Sequence, residues 1–182
     1  MLFIIAGLFT AMPAAGEGNI VLSRDYQPTG VSELPQVLNV GIPLECGRYE
    51  IRIMGQPIIT KASLGMVADL DLYYLIIRVG LTNIGEQTIG WLTPDSFEIR
   101  ETYHGRVYGT YKMDPIISAK IAAGFKLPAF YTQIEPGGSI QTTLVFSVYY
   151  GAESWILTFA PHVFGDEAAK TIEFQIPQGL MQ

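Results

Sequence analysis

The feature that most constrains the fold is the alternation within Leu70–Glu101, where an apolar parity is interleaved with one that is polar or small except at Ile76. In the first half of this stretch, every second residue is a large apolar one, and these residues are Leu75, Ile77, Val79 and Leu81. Because successive side chains of a strand point to opposite faces, this period of two predicts a β-strand with one buried face. Asn83 and Gly85 then predict a turn, since both residue types tolerate left-handed backbone. Phe97 and Ile99 share one side of a second alternation, so the two strands are predicted to pair as an antiparallel hairpin.

The same alternation recurs along most of the remaining chain. Further strands are predicted at Tyr49–Ile53, Ile58–Leu64, Val107–Tyr111, Ile140–Val148, Trp155–Phe159 and Ile172–Ile176. Pro136 and Gly137 precede one of these strands in the order that a type II turn favours. The sequence therefore predicts about eight strands, at the spacing typical of an all-β, two-sheet antiparallel sandwich.

Composition agrees with a β fold and excludes one class of partner. The chain is 49% hydrophobic and 12% aromatic, and only 15% of it is charged. Aromatic and β-branched residues suit pleated, half-buried surfaces. The net charge is −6 and the 11 basic residues are scattered, whereas binding to phosphates requires clustered Lys and Arg. We therefore expect no nucleic-acid partner.

One short helix is predicted between two of the strands. Asp114 precedes Pro115, and this pair is typical of a helix cap followed by the first helical residue. Gly124 is a plausible helix end. Ile117, Ile121 and Phe125 recur at a spacing of four, so they are predicted to form one buried stripe.

The N-terminus predicts export from the cytoplasm. An apolar run from Leu2 to Met12 is followed by small residues ending at Gly16, as in a secretory signal, although no positive charge follows Met1. The alternative is a buried N-terminal strand. The run is too short to span a bilayer, which takes about 20 apolar residues. We expect a signal peptide over 1–16, an extended leader over 17–46, the sandwich over 47–177 and a tail over 178–182, in a secreted or envelope-associated protein.

Three stretches carry a resemblance to a known family. They are Val79–Gly85, Phe97–Arg100 with the following Gly105 turn and Tyr108, and Ile134–Ser139 leading to Leu144–Phe146. In this order they resemble the telokin-like, immunoglobulin-like extracellular domains of bacteria, a group that includes the mycobacterial immunoprotective secreted antigen type. The resemblance implies an immunoglobulin-like sandwich outside the cytoplasm and supplies no catalytic residues. A weaker resemblance is to small β-sandwich proteinase inhibitors of bacteria.

Catalytic and metal-binding patterns are missing from the sequence. Nucleophilic catalysis needs a base beside a nucleophile, and the histidines are His104 in a turn and His162 after a proline. Cys46, the single cysteine, is expected to be a buried thiol. Asp69 and Asp71 lack the further oxygen ligands of a calcium loop, so we interpret them as turn acids. We expect no enzyme activity, no cofactor and no metal.

A partner-binding surface is predicted around the helix. Aromatic residues and Met are enriched at interface cores, and the candidate residues are Tyr111, Met113, Phe125, Phe130 and Tyr131. The alternative is that this helix only covers an open end of the sandwich. A second candidate patch consists of Tyr149 and Tyr150 with Trp91, which would be adhesive if exposed and part of the core if buried.

These observations favour a non-catalytic interaction module that binds an unidentified protein partner. The first alternative is a proteinase inhibitor that acts through an exposed loop within Gly109–Phe130. The second is a structural subunit of a cell-envelope assembly, in which a sheet edge pairs with a neighbour by strand addition. The sequence leaves the oligomeric state open.

Overall fold

Twelve strand segments and one α-helix form the part of the chain that the computed structural model describes, residues 36–37, 41–90, 92–152, 154–161 and 170–174. The strands are β1 (Gln36–Val37), β2 (Leu44–Cys46), β3 (Tyr49–Ile53), β4 (Ile58–Thr60), β5 (Ala62–Ser63), β6 (Met66–Val67), β7 (Tyr73–Asn83), β8 (Phe97–Tyr103), β9 (Arg106–Lys112), β10 (Ser139–Val148), β11 (Ser154–Phe159) and β12 (Lys170–Phe174). The helix is α1 (Pro115–Gly124), and a short 3-10 helix covers Pro94–Ser96.

The strands form the predicted two-sheet sandwich, so the predicted fold class is confirmed. Sheet A has the strand order β1-β12-β11-β8-β9. Sheet B has the order β10-β7-β3-β2, and β4 also pairs with β7. The pairings are antiparallel except for β1 with β12, which is parallel. β5 and β6 form a separate hairpin.

The core lies between the inner faces of the two sheets, and the predicted parities are confirmed. Sheet B contributes side chains with no solvent exposure from Leu75, Ile77, Val79 and Leu81. Sheet A contributes Phe97, Ile99, Trp155, Leu157 and Phe159. The Phe97 and Phe159 rings stack with centroids 5.2 Å apart. Burial of these apolar surfaces is the main driving force for the fold.

The predicted hairpin between the two halves of Leu70–Glu101 is wrong. β7 pairs with β3, β4 and β10, whereas β8 pairs with β9 and β11 in the other sheet. The turn after Asn83 does form, but it begins a longer connection in which Ile89 and Leu92 are buried. This connection crosses the distance of about 10 Å between the packed sheets. Alternation specified which face of each strand is buried, but it carried no information on which strands pair.

Helix α1 begins and ends as predicted. The Asp114 carboxylate Oδ1 accepts hydrogen bonds from the backbone N–H groups of Ile116 at 3.0 Å and Ile117 at 2.9 Å. Ile121 is fully buried and Ile117 is half-buried, but Phe125 is 46% exposed. The predicted stripe is therefore wrong at Phe125, because this residue is the C-cap, where the backbone has left the helical conformation.

The helix covers the free edge of β10 as well as the outer face of sheet B. The Asp114 N–H donates to the Val145 carbonyl at 2.8 Å, and the Val145 N–H donates to Ser118 Oγ at 2.9 Å. Val145 also belongs to a second, small core with Ile76 and Ile121. The helix thus satisfies the backbone of an edge strand that would otherwise present unpaired groups.

The sandwich includes residues ahead of the predicted boundary at 47. β2 pairs with β3, and β1 pairs with β12, within the stretch predicted to be a leader. Cys46 is 1% exposed and its Sγ lies 3.9 Å from the Phe159 carbonyl, which confirms a buried thiol. The predicted signal peptide and the C-terminal tail lie outside the described residues. None of the helices described is both long and apolar enough to cross a bilayer.

Candidate functional site

The five residues predicted to bind a partner do not form one surface. Met113 and Phe130 are each only 3% exposed and belong to the core between the sheets. Phe125 and Tyr131 are 46% and 53% exposed, and Tyr111 is half-buried. The accessible members of the predicted set are therefore Tyr111, Phe125 and Tyr131.

These three accessible residues lie in different places. Tyr111 is near the Trp155 ring, at a centroid distance of 6.4 Å. Phe125 lies on the outer face of sheet B, against Arg78. Tyr131 follows Phe130, whose ring packs edge-on against Phe97 at 6.4 Å, at the far end of β8. Helix α1 lies between Tyr111 and the other two in the chain, and a helix of this length spans about 15 Å.

A denser aromatic surface lies at the end of the sandwich opposite Tyr131. We call this end the tyrosine end. Six tyrosines of the described residues form it, and they are Tyr73, Tyr103, Tyr108, Tyr111, Tyr149 and Tyr150. The strand registers bring them together, because β7 begins opposite the last residue of β10. The first residue of β11 lies opposite Thr102, near the tip of the β8–β9 hairpin. The connection between β10 and β11, which contains Tyr149 and Tyr150, joins the start of β7 to the tip of the β8–β9 hairpin.

Ring contacts arrange the tyrosine end into two groups. Tyr73 and Tyr150 lie 5.5 Å apart by ring centroids. At the hairpin tip, Tyr103 contacts His104 at 4.2 Å and Tyr108 at 6.0 Å. Their side chains remain accessible, with exposed fractions of 57% for Tyr149, 49% for Tyr150, 43% for Tyr103 and 59% for Tyr108. The second patch named from the sequence is thus exposed at Tyr149 and Tyr150, while Trp91 lies outside the described residues.

The hairpin tip is a tight turn whose backbone fixes the aromatic side chains. His104 and Gly105 have φ angles of 49° and 70°, and Tyr103 is paired with Arg106 across the turn. Positive φ at both central residues is the signature of a two-residue type I′ hairpin, which matches the twist of the flanking strands. The turn lies where the sequence predicted it. Its unusual feature is a histidine at the first central residue.

Tyr111 connects β9 to β8 by a side-chain hydrogen bond. Its hydroxyl donates to Glu101 Oε2 at 2.8 Å. A Cβ at Gly109 would lie 2.6 Å from the Tyr111 hydroxyl oxygen, so only glycine permits this approach. Burial, followed by the hydrogen bond to Glu101 and its negative charge, raises the pKa of Tyr111 well above its ordinary value of 10.0. The phenol is therefore a stable donor at neutral pH.

Lys61 holds the loop that precedes β7. Its ammonium Nζ donates to the backbone carbonyls of Asp69, Leu70 at 2.7 Å and Leu72 at 2.6 Å, and it lies 5.0 Å from the centre of the Tyr73 ring. A lysine ammonium has three protons, so these carbonyls use its full donor capacity. The loop is fixed in this conformation while the Leu70 side chain is 90% exposed.

The described residues do not bring together the metal-binding and nucleophilic groups considered from the sequence. Within them, no three His, Cys, Asp or Glu side chains are close enough to hold a metal ion. Cys46 lies opposite Tyr49 in the β2–β3 ladder, and Tyr49 lies opposite Asn83, the last residue of β7. His104 lies at the tyrosine end, at the other end of the sandwich. These positions rule out a Cys46–His104 dyad. His162 lies outside the described residues.

Sequence reasoning missed Leu70, Tyr103 and Tyr108 as surface residues. Tyr103 and Tyr108 flank the turn at 104–105, so two aromatic residues beside a tight turn were the available signal. Leu70 gave no signal, because a leucine before a strand usually extends the buried face. The loop that exposes it is bound through the Leu70 carbonyl by Lys61, nine residues earlier in the chain.

Two solved structures with TM-scores above 0.5 support the fold. The ycdA protein of Bacillus subtilis, described as a "putative lipoprotein", is similar with 18% identity and a TM-score of 0.53, over 76% of this chain and 40% of that one. The yjhA protein of Bacillus subtilis is similar with 15% identity and a TM-score of 0.52, over 75% of this chain and 99% of that one. The secreted Mycobacterium tuberculosis protein MPT63 matches with 11% identity and a TM-score of 0.45, over 79% and 99%.

These similarities concern the fold alone, since the identities are low. This chain corresponds to 40% of the length of ycdA, so ycdA contains much that has no counterpart here. Neither a protein-family model nor a curated protein sequence matches the chain.

Proposed function

We propose that the chain is an extracytoplasmic, non-catalytic immunoglobulin-like module that binds a protein partner through its tyrosine end. The observation that carries this proposal is the 90% exposure of Leu70 on a loop that Lys61 fixes through three backbone carbonyls. A large apolar side chain in that position loses contact with water only when a partner covers it. Burial of one leucine contributes about 1.5–3 kcal/mol.

The neighbouring tyrosines suit protein recognition. Tyr side chains offer a large apolar ring with a polar tip and lose little conformational entropy on binding, and they are enriched at interface cores. Tyr149 and Tyr150 are exposed on the link between the sheets, on the same end as Leu70. Because Lys61 fixes the loop before binding, the partner does not have to order it, which lowers the entropic cost of association.

The N-terminal sequence supports a location outside the cytoplasm. A lipoprotein assignment has been suggested for ycdA, which shares the fold, and this agrees with export of the present chain. The order of the turns at Asn83, Gly105 and Gly137 supports membership of the telokin-like, immunoglobulin-like extracellular domains. We include this membership in the proposal.

The inhibitor alternative has less support than the interaction module. Its candidate loop, Gly109–Phe130, consists of the end of β9, helix α1 and buried residues such as Ile121 and Phe130. A proteinase-binding loop must be extended and accessible over several consecutive residues. The middle of this segment is helical, which leaves only the short run of residues 125–129 outside regular structure and accessible between α1 and the buried Phe130.

One observation favours strand addition as a second function. β9 forms one edge of sheet A and, within the described residues, pairs only with β8. Five of its seven residues are exposed, three before Gly109 and two after it, so an extended segment can approach its free edge. The edge of β10, by contrast, is covered by Asp114 and Ser118. Sedimentation of the purified chain tests this alternative, and a strict monomer at all concentrations argues against self-association through β9.

The leading proposal is tested by site-specific photocrosslinking. A photoreactive phenylalanine derivative replaces Tyr150 in one variant and Tyr131 in the matched control, since Tyr131 is similarly exposed at the opposite end. Both variants are expressed in the source cells, and the crosslinked products are compared. We expect one discrete adduct with a protein from the position 150 variant and none from the position 131 variant.

A second step separates specific binding from general adhesion. The substitution Leu70→Ser should abolish the adduct at position 150, whereas Ile84→Ser, at the far end of β7, should leave it unchanged. Adducts of equal yield at positions 150 and 131, or an adduct that survives Leu70→Ser, would show that the tyrosine end is not the binding surface.

A further inference from the structure

A cavity of about 510 Å³ lies on the outer face of sheet B, and it is separate from the tyrosine end. Small-molecule sites typically have volumes of roughly 300–1,000 Å³ and are mostly apolar with a few polar groups. The apolar lining includes Met54, Ile58, Ile76 and Phe125. The lining also contains Arg78 and Thr143, which face each other across the β7–β10 ladder.

Two elements outside the sheet close this cavity. Phe125, the C-cap residue of α1, lies on one side of it, and the β5–β6 hairpin lies on the other. The hairpin touches the end of the helix, because a Cβ at Gly124 would collide with the Leu64 side chain. Hairpin, helix end and sheet therefore border a partly open pocket on the outer face of sheet B.

Arg78 gives the pocket a positive charge that the described residues leave unbalanced. Its guanidinium lies 5.5 Å from the centre of the Phe125 ring. Among the described residues it forms no ion pair, and no acidic residue lines the cavity. An arginine presents its N–H donors in a planar fork that matches the two oxygens of a carboxylate.

Thr143 supplies a buried hydroxyl that lacks a partner. The residue is 1% exposed, and its Oγ1 has no hydrogen-bond partner in the described part of the chain. Buried polar groups are nearly always hydrogen-bonded, and an unsatisfied one is costly. Because Thr143 lines the cavity, its hydroxyl is a hydrogen-bond donor that a ligand there can use.

We propose that this cavity binds a small monocarboxylate with an apolar body, such as a medium-chain fatty acid. The carboxylate pairs with Arg78 and accepts a hydrogen bond from Thr143, while the apolar body packs on Ile58, Ile76 and Phe125. A peptide is a poorer occupant, because each of its residues brings a backbone N–H and C=O that need partners. An acyl chain brings none, and the apolar part of the lining offers none.

The test is a titration of the full chain with decanoate, followed by methyl-detected NMR. The methyl signals of Ile58, Ile76 and Thr143 report on the cavity, and those of Leu70 and Ile84 report on the two ends of the sandwich. We expect saturable shifts at the cavity methyls with one site per chain. Decylamine, which has the same chain length and the opposite charge, should not produce them.

Matched variants identify the two polar partners. Arg78→Gln should weaken decanoate binding roughly tenfold, the value of one hydrogen bond to a charged group. Arg52→Gln, on the same face and outside the cavity lining, should change it less than about twofold. Thr143→Val should weaken binding and at the same time raise the melting temperature of the ligand-free chain, since it removes an unsatisfied hydroxyl without changing the shape of the side chain.

Four results would overturn the proposal. They are the absence of saturable shifts, equal binding of decylamine, shifts confined to Leu70 or Ile84, and tighter binding of a short peptide with a free C-terminus than of decanoate. Because the cavity shares no residue with the tyrosine end, each of these results leaves the proposed protein-binding function untouched.

Discussion

The side chain of Asn83 donates a hydrogen bond to the backbone carbonyl of Ile134 at 2.9 Å, across a sequence separation of 51 residues. The same amide donates to the Gln87 carbonyl at 2.8 Å and accepts from the Gly85 N–H at 2.9 Å. The Asn83 backbone is also bonded to the Gly137–Gly138 turn, through its N–H and its carbonyl. Asn83 is fully buried, so it joins two turns that are distant in sequence.

Substitution of this amide should be among the most destabilising polar changes in the chain. Asn83→Ala leaves the carbonyls of Gln87 and Ile134 and the N–H of Gly85 without their partner, at a cost of about 2–4 kcal/mol in the free energy of unfolding. Asn83→Asp keeps the acceptor, removes the donor and buries a charge, so it should be at least as damaging. Urea denaturation measures both, and Ser139→Ala, which removes only an exposed hydroxyl pair with Thr82, should cost less than about 0.5 kcal/mol.

The hydrogen bond between helix α1 and the edge of β10 should also be visible in stability. Ser118→Ala leaves the buried Val145 N–H unpaired and should lower the free energy of unfolding by about 1–3 kcal/mol. Lys120→Ala, on the exposed side of the same helix, should remain within about 0.5 kcal/mol of the wild type. Wild-type stability in the Ser118 variant, measured by the same urea denaturation, would contradict a helix that satisfies this edge.

The loop before β7 should loosen when its lysine is removed. Lys61→Met keeps the apolar stem but loses all donors to the carbonyls of Asp69, Leu70 and Leu72, so hydrogen exchange in this loop should accelerate. We expect a global loss of only about 1 kcal/mol, since the contacts are partly exposed. Lys120→Met is the control for removal of a lysine charge. If exchange at residues 69–72 is the same in wild type and Lys61→Met, the loop is not fixed by this ammonium.

The contact between Tyr111 and Glu101 predicts a dependence of stability on alkaline pH. The folded chain raises the pKa of Tyr111 above 10.0, so it holds the phenol proton more tightly than the unfolded chain. The resulting stabilisation is complete below about pH 10 and is lost as the pH rises above this value toward the raised pKa. Tyr111→Phe should cost roughly 0.5–1 kcal/mol at neutral pH, because the group is partly exposed.

The wild type should then lose more stability than Tyr111→Phe between about pH 8 and pH 11. Urea midpoints at both pH values measure this difference, and Tyr131→Phe controls for removal of an exposed phenol. Parallel pH profiles for wild type and Tyr111→Phe would mean that the hydrogen bond to Glu101 does not hold the proton in the folded state.

The sequence predicted the local features correctly because their causes are local. The period of two identified the buried faces at Leu75 and Phe97, and the Asp114–Pro115 pair located the start of the helix. Each of these signals depends on residues a few positions apart. The same is true of the turn at Gly137, whose φ of 72° only glycine adopts readily.

Strand partners and surface exposure depend on distant residues, and there the predictions failed or stayed open. Met113 is buried because it bridges to Phe146, which lies in the other sheet. Phe130 is buried in contact with Phe97, and Leu70 is exposed on a loop whose carbonyls are bound by Lys61. None of these contacts could be predicted from the sequence on either side of the residue itself.

The pairing of β7 with β10 also sets the order in which the chain can fold. As the chain is synthesised from its N-terminus, β7 meets only β3 and β4, and its ladder with β10 must wait for Ser139–Val148. Contacts so far apart in sequence form slowly, and an apolar strand edge is open to wrong partners until they do. The strand that is easiest to recognise in the sequence is therefore completed late, and this interval is where a chaperone would act.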